Sequence, residues 1–467
     1  MVGLNIALSG LEAQQAVISV TGQNVANANT PGYSEQVANL VANPPYSPPA
    51  LHQNNGPGQF GMGVTVGSIT RQTSQFLNLQ AWNNNASLSA DTQTAQTLGQ
   101  VQSLVNEPSS TGLNSAMDAF WSAWANLAND PSSGAASAQV VSAGQALTSQ
   151  FHNLASGLSS TQTDLNQAVA QQASQVNQIA GQIAGLNGQI AADTAAGQNP
   201  NDLEDQRDQL VSQLSNLIPV AVTWQQNGSV TVSSGTVAFV DGTHTLTLTA
   251  TPDPTNNNFY ALTWGPGGVP ADFAGGGQLG ATLTLRDQTI PGYLTQLNGL
   301  AAGIASQVNA LQTAGTDAAG AAGQAFFEPS TGSATAADIA VNPAVVSNPS
   351  LVATGANPSG GPGDGTTAQA VSDLQNKTFL AGSTQTPSDF YAAFVGGLGA
   401  DAQAAQSGQT NGQALQQSIS QQQQQVSGVS LDQEMTTMVE AQNAYGAAAT
   451  LTTTINTMLG DLITMMQ

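Results

Sequence analysis

Cysteine is absent from the 467 residues, and cations nearly so: four Lys and Arg stand against 27 Asp and Glu. Without thiols there is neither a disulfide scaffold nor a thiolate metal site. Such a chain suits passage from a reducing to an oxidising space. The four basic residues, Arg71, Arg207, Arg286 and Lys377, leave a formal charge of −23. A surface of that sign repels phosphate, which argues against nucleic acid and against electrostatic docking on anionic membranes. Charged residues of both signs make up only 7% of the chain, so solubility rests on Gln, Asn, Ser and Thr. No run reaches the roughly 18 apolar residues of a membrane span, and no membrane insertion is expected. The N-terminus also lacks the basic stretch and apolar core of a secretory signal. His52, His152 and His244 are isolated, with none at the i+4 spacing of a zinc helix. No Gly-Lys-Ser/Thr follows a Gly-rich loop, and residues 355–365 read as a turn region. The expectation is no catalytic residue, no metal, no cofactor and no enzyme.

Proline is missing from three long windows: before Pro31, between Pro131 and Pro200, and after Pro387. Proline removes a backbone donor and clashes with the preceding turn, so these windows are where long helices can run. In the central one, Leu147, Phe151, Leu154, Leu158, Thr161 and Leu165 recur at steps of four and three. After one slip, Val169, Gln172, Val176, Ile179, Ile183, Leu186 and Ile190 continue the pattern. This predicts one very long coiled-coil-like helix. Leu203, Leu210, Leu214 and Leu217 predict a shorter helix, with Asp202 as N-cap and Glu204 and Asp205 in its first turn. The acidic cluster of these residues and Asp208 around Arg207 is read as capping rather than catalysis. A third helix is predicted from Pro291 through Leu294, Leu297, Ile304, Val308 and Leu311. Trp121 and Trp124, one turn apart, are predicted anchors of a core or interface.

Between residues 220 and 285 the period becomes two, at Val230 and Val232, at 245–249 and at 282–285. Asn227-Gly228 and Asp241-Gly242 are hairpin-turn signals. A small antiparallel β region inserted in a helical framework is predicted, with short strands also at 64–66 and 339–341.

The two ends are the most telling segments present. Leu4, Leu8, Leu11, Ile18 and Val25 fall on a 4-3 spacing, with Gln15 and Gly22 in the missing steps. At the other end Leu451, Ile455, Met458, Leu462 and Met465 form one stripe, and Leu459, Ile463 and Met466 a second beside it. Such spacing marks helices that bury a narrow seam, and two adjacent stripes imply more than one neighbour. An isolated helix with one narrow stripe buries too little to offset its ordering entropy. The ends are therefore expected to pack against each other and against the ends of other subunits, folding as subunits add.

Certain segments carry a resemblance. Residues 9–15 followed by 21–34, with Asn27, Asn29, Thr30, Pro31, Gly32 and Tyr33, resemble the N-terminal signature of bacterial flagellar axial proteins. There a helix ends near Asn27 and the Asn-Thr-Pro-Gly run supplies a stop, a turn and a positive-φ position. Asp202, Leu203, Asp205, Gln206, Arg207, Asp208 and Leu210 resemble the flagellar hook-associated protein 1 family more narrowly. So do segments around 63–77, 120–151, 285–327, 363–375 and 430–459. The resemblance covers most of the chain and the β insertion least. Glu35 and Ser137 depart from it, standing where the family is often basic.

The resemblance and the periodicity together give a mainly α fold with inserted β. Residues 1–36 and 426–467 form a coiled-coil-like terminal assembly domain. Residues 37–219, 286–325 and 371–425 form a helical bundle, with loop and strand at 43–70. Residues 220–285, with 326–370 as a candidate addition, form a β-rich outer domain. The resemblance implies a structural adaptor that polymerises at the distal end of the hook, forms the hook–filament junction, and is exported unfolded by the flagellar type III route. It implies as partners other copies in a ring, the hook protein, a second hook-associated protein or flagellin, and a cytoplasmic export chaperone on the C-terminal stripe. Localisation would be the extracellular flagellum after a transient cytoplasmic pool. The alternatives are a hook- or rod-type axial component, or a flagellar surface protein whose β domain is an adhesin.

Overall fold

The computed structural model describes residues 2–45, 61–273, 276–329 and 334–466; His52 and most of the Pro/Gly-rich loop lie outside them. The fold is mainly α with small antiparallel sheets, and one helix organises it. Gly134–Ala195 runs for 62 residues, about 93 Å at 1.5 Å per residue. Ser133 starts it by accepting the Ala136 N–H. Its buried side chains include Leu147, Phe151, Leu154, Leu158, Leu165, Val169, Gln172, Val176, Ile183 and Ile190, so the predicted stripe is the buried one.

That helix crosses two separate apolar cores. Its first half packs with Gln75–Val105, Leu113–Asn129, Ile290–Ala314 and the start of Pro387–Ser427. Phe120, Trp121, Trp124, Phe326 and Phe327 cluster there, with Trp124 and Phe326 centroids 5.4 Å apart. Its second half packs with Asn201–Leu217 and the β region, where Phe239 stacks on Trp264 at 4.7 Å. The β region consists of a four-stranded antiparallel sheet, Ala221–Trp224, Val230–Ser234, Val237–Asp241 and His244–Thr245, in chain order. Beside it lies a three-stranded sheet of Leu248–Asp253, Phe259–Trp264 and Val269–Pro270.

Several expectations are corrected. Residues 282–285 are not a strand: Gly277–Thr284 is an α-helix that continues through a π-turn, Leu285–Thr289, into Ile290–Ala314. The hydroxyls of Thr282 and Thr284 bond back to the carbonyls of Gln278 and Gly280, which lets a Thr-Leu alternation sit in a helix. The third helix, Ile290–Ala314, does carry Pro291 in its first turn, but it continues a rod that starts at Gly277. In the wide turn the Ile290 N–H reaches back to the Leu285 carbonyl, and Pro291 follows it without breaking the rod. Phe326, Phe327, Ala334, Ala336, Ile339 and Val341 are buried in the first core rather than with the β region. Phe327–Pro329 pairs there with Ile339–Val341, and His152 bonds the Ile339 carbonyl at 2.8 Å.

The helix Val2–Asn27 lies antiparallel along Leu431–Met465. It also carries a two-stranded sheet, Gln36–Ala42 with Val64–Arg71, which pairs Gln36 opposite Arg71. Gly63, at φ +87, makes the close approach: Ser9 and Ile6 occupy the space a Cβ would need.

Candidate functional site: the joint between the ends and the body

The terminal helices meet along a seam of small residues. Gly3 faces Ile455, Gly10 faces Ala448, and Asn24 bonds Glu434 at 2.8 Å, all in one antiparallel register. Both helices step by seven here, and Val17 and Ala441 fall at the remaining step. The predicted stripe of large residues is not this seam. Leu4, Leu11, Ile18 and Val25 lie half-buried on its flank and Leu8 is 49% exposed. Ile455 alone of the C-terminal stripe lies in the seam. Leu451, Met458, Leu459, Leu462, Ile463, Met465 and Met466 are exposed, Met465 to 80%. Gly and Ala bring the two backbones close, and that approach rotates the larger side chains outward.

At its lower end the pair is tied to the body by a polar network. The helix stops at Asn27, Thr30 N–H bonds the Asn27 carbonyl, and Gly32 takes φ +82, as the Asn-Thr-Pro-Gly run predicts. Asn29, Thr30 and Pro31 lie on the exposed outside of this turn. The turn sets Tyr33 and Ser34 inward. The Tyr33 hydroxyl donates to Asn24 Oδ1 at 2.8 Å, and burial followed by the charges of Asp202 and Asp205 pushes the phenol up to about 12. Asn24 is almost fully enclosed. Its oxygen also accepts the Gln36 N–H at 3.0 Å, and its amide donates to the Gln36 carbonyl and to Glu434.

From the other side comes the first turn of Asn201–Leu217. Asp202 does not cap this helix, whose N-cap is Pro200 with no side-chain bond. Its carboxylate instead accepts from Gln36 Nε2 at 2.7 Å and from Gln23. Asp205 accepts both the backbone N–H and the hydroxyl of Ser34 at 2.8 Å. The acidic cluster is organised not by its neighbour Arg207 but by Arg71, at the end of the strand Val64–Arg71. Arg71 donates to Glu204, Asp205 and Asp208, each at 2.8 Å. Burial alone works against the charge, but the three carboxylates outweigh it and hold the guanidinium firmly protonated. Arg207 turns away, buried, to the Gly228 carbonyl at 2.7 Å in the first β-hairpin. Leu210 packs against the second core, and Leu203 is half-buried. Gln206 and Gln209 line a cleft of about 240 Å³ between the helix and residues 30–33.

The two motifs named from sequence thus face each other across one joint. Asn24, Ser34, Gln36, Arg71 and Glu434, which complete it, were not singled out as a site. Arg71 carried a signal in being one of four cations in an acidic chain. Among the described residues no group of His, Asp and Glu is placed to hold a metal ion. Asp364 closes a turn by accepting from Thr366, and no described helix is long and apolar enough to cross a membrane.

Known proteins share this organisation. A family model described as the helical domain of flagellar hook-associated protein FlgK matches residues 98–327, a span that includes the β region. Models of the flagella basal body rod protein and of the C-terminal part of rod FlgEFG proteins match residues 4–33 and 420–465. Flagellar hook-associated protein 1 of Bacillus subtilis is 30% identical over 99% of this chain and 97% of its own length. The chain belongs to the flagellar hook-associated protein 1 family. As a member it is a structural component of the bacterial flagellum. The Salmonella typhimurium member is 30% identical over 69% of this chain, which spans 59% of that longer relative. The flagellar hook junction protein FlgK from Burkholderia pseudomallei has the same fold, with a TM-score of 0.68 at 19% identity over 75% of this chain and all of that one.

Proposed function

We propose that the chain is a structural adaptor that polymerises at the distal end of the hook and forms the hook–filament junction. The observation that carries this is the contrast within the C-terminal helix: a seam of small residues is occupied, while Leu451, Met458, Leu459, Leu462, Ile463, Met465 and Met466 remain exposed. Large apolar faces left open on a paired helix are completed by neighbouring copies and by the adjoining hook and filament-side components. Leu4, Leu8, Leu11, Ile18 and Val25 flank the same seam and extend that surface. The joint at Arg71 fixes the angle at which the terminal pair leaves the body, so that copies in a ring present equivalent faces. The FlgK helical-domain match includes the 202–210 segment and supports a junction component over a hook or rod type.

Before assembly the chain passes unfolded through the type III route from a transient cytoplasmic pool to the extracellular flagellum. Its terminal pair, held by Gly, Ala and one Asn–Glu bond, is a low-cost element to unfold. A Met- and Leu-rich face also suits capture in the groove of an export chaperone. Replacing Leu459 and Leu462 by Asp tests the reading: junction assembly and filament retention should be lost, while the body keeps its thermal transition. Normal filaments on such a variant would overturn it.

A further inference from the structure

The two apolar cores adjoin at a layer of polar side chains. On Gly134–Ala195 the first core ends at Leu165 and the second begins at Val169. On the rod that starts at Gly277 the change falls between Leu279 and Leu285. Gln162, Asn166, Arg286 and Asp287 stand in this layer, with Gln162 and Arg286 buried. The π-turn Leu285–Thr289 lies at the same level, and its sequence leaves one carbonyl without a helical donor. The Arg286 carbonyl would accept from Ile290 in an α-helix, and from residue 291 in a π-turn. Ile290 gives its N–H to Leu285, and residue 291 is a proline, which has none. The donor that reaches the Arg286 carbonyl is the side-chain amide of Gln162, from the long helix, at 2.8 Å. The same turn delivers the Arg286 side chain to the β region. Its guanidinium donates to the Tyr260 carbonyl and to Asn166 Oδ1, each at 2.9 Å, and lies 5.6 Å from the centre of the Phe259 ring. Asn166 Oδ1 also accepts the Tyr260 N–H at 2.8 Å. Asp287 steadies the guanidinium at 2.7 Å and takes the Asn256 amide at 3.1 Å.

We propose that the π-turn is a latch that seats the β region on the helical bundle. Pro291 withholds a donor, Gln162 supplies it, and Arg286, held at the turn, clamps both peptide groups of Tyr260 with the help of Asn166. Gln162 and Asn166 lie one turn apart on the long helix, so one helical face secures the turn and the strand together. Phe259–Trp264 is the middle strand of its sheet, and holding it fixes the direction in which that sheet leaves the bundle. The latch is separate from the terminal pair and does not depend on the assembly reading. A buried carbonyl without a donor is costly, so the turn is stable only while the long helix presents Gln162 to it. Gln162 is therefore a positioning residue, and its importance is tied to the proline at 291.

The test is a double-mutant cycle read by amide hydrogen exchange on the full chain. Q162M keeps the side-chain length and removes the donor. Exchange over 259–264 and 285–292 should quicken about ten-fold, the size expected for one buried carbonyl left unpaired, while 147–158 is unchanged. P291A restores a backbone N–H for the Arg286 carbonyl. Adding Q162M to P291A should therefore alter exchange by less than about two-fold. R286K keeps the charge but loses the fork that reaches Tyr260 and Asn166 at once. It should loosen 259–264 and leave 285–292 as protected as in the unchanged chain. The proposal is overturned if Q162M has the same effect with and without P291A, or if either Q162M or R286K leaves 259–264 unchanged. Should Q162M alone not fold, Q162M/P291A decides the matter: a folded double variant is expected, and an unfolded one would refute the latch.

Discussion

The helices Gly134–Ala195 and Leu431–Met465 are both long, both amphipathic and both poor in charge, yet they reach different ends. In the first, most large apolar residues of the stripe are buried, across two cores rich in aromatic rings. In the second, the occupied seam is Glu434, Ala441, Ala448 and Ile455, and the large side chains face out. Periodicity alone does not separate these cases. What separates them is the supply of partners: the middle of the chain surrounds its long helix with several further helices and sheets, whereas Leu431–Met465 packs chiefly on the one helix Val2–Asn27. A body that completes itself and an end that does not is the division expected of a subunit whose interface is its own unfinished core.

That comparison can be broken at the body, at the joint and at the ends, with decreasing effect. Trp124→Ala removes the centre of the first core and should destabilise the body by about 4 kcal/mol, read as a lowered denaturation midpoint. A change below 1 kcal/mol would mean that the body is not held by this core. Arg71→Ala leaves Glu204, Asp205 and Asp208 facing one another and should cost roughly 3 kcal/mol at the joint, with Arg71→Lys recovering part of it. The sharper readout is local, since exchange and proteolysis at residues 27–36 should rise while the second core is unchanged.

The smallest effect is at Glu35, where burial, then the charge of Glu434, raises the carboxyl above its ordinary value. A carboxyl raised on folding takes up a proton as the chain folds, so its penalty is present above the folded-state value and vanishes below the unfolded one. Glu35→Gln should therefore be slightly more stable than the unchanged chain near neutral pH and lose that advantage on acidification. An advantage that grew on acidification would contradict the assignment.

How legible these regions are from sequence follows from the range of the interactions. The long helix is local and periodic, and its buried residues follow from spacing. The hairpins at Gly228 and Gly242 follow from turn chemistry, and both glycines take positive φ. The joint is not local: Arg71 meets carboxylates more than 130 residues away, and nothing in a stretch of sequence says which cation an acidic cluster will serve. Capping assigned Asp202 to its own helix, whereas Gln23 and Gln36 offered donors from outside. The seam of the terminal pair was hidden for a different reason. Leu and Met dominate a hydrophobic pattern, while Gly3, Gly10, Ala441 and Ala448, which permit the closest approach, barely register in it. The alternation at 282–285 misled because threonine satisfies its hydroxyl within a helix as readily as in a sheet.

Amide hydrogen exchange on the verified monomer tests the central claim most directly. Fast exchange over residues 1–20 and 438–467, beyond the joint, with strong protection over 140–220, is the predicted result, because the ends hold only a seam of small residues until other subunits cover them. Ends as protected as the long helix would show a terminal domain complete within one chain, and would contradict the claim that its core is finished only by assembly.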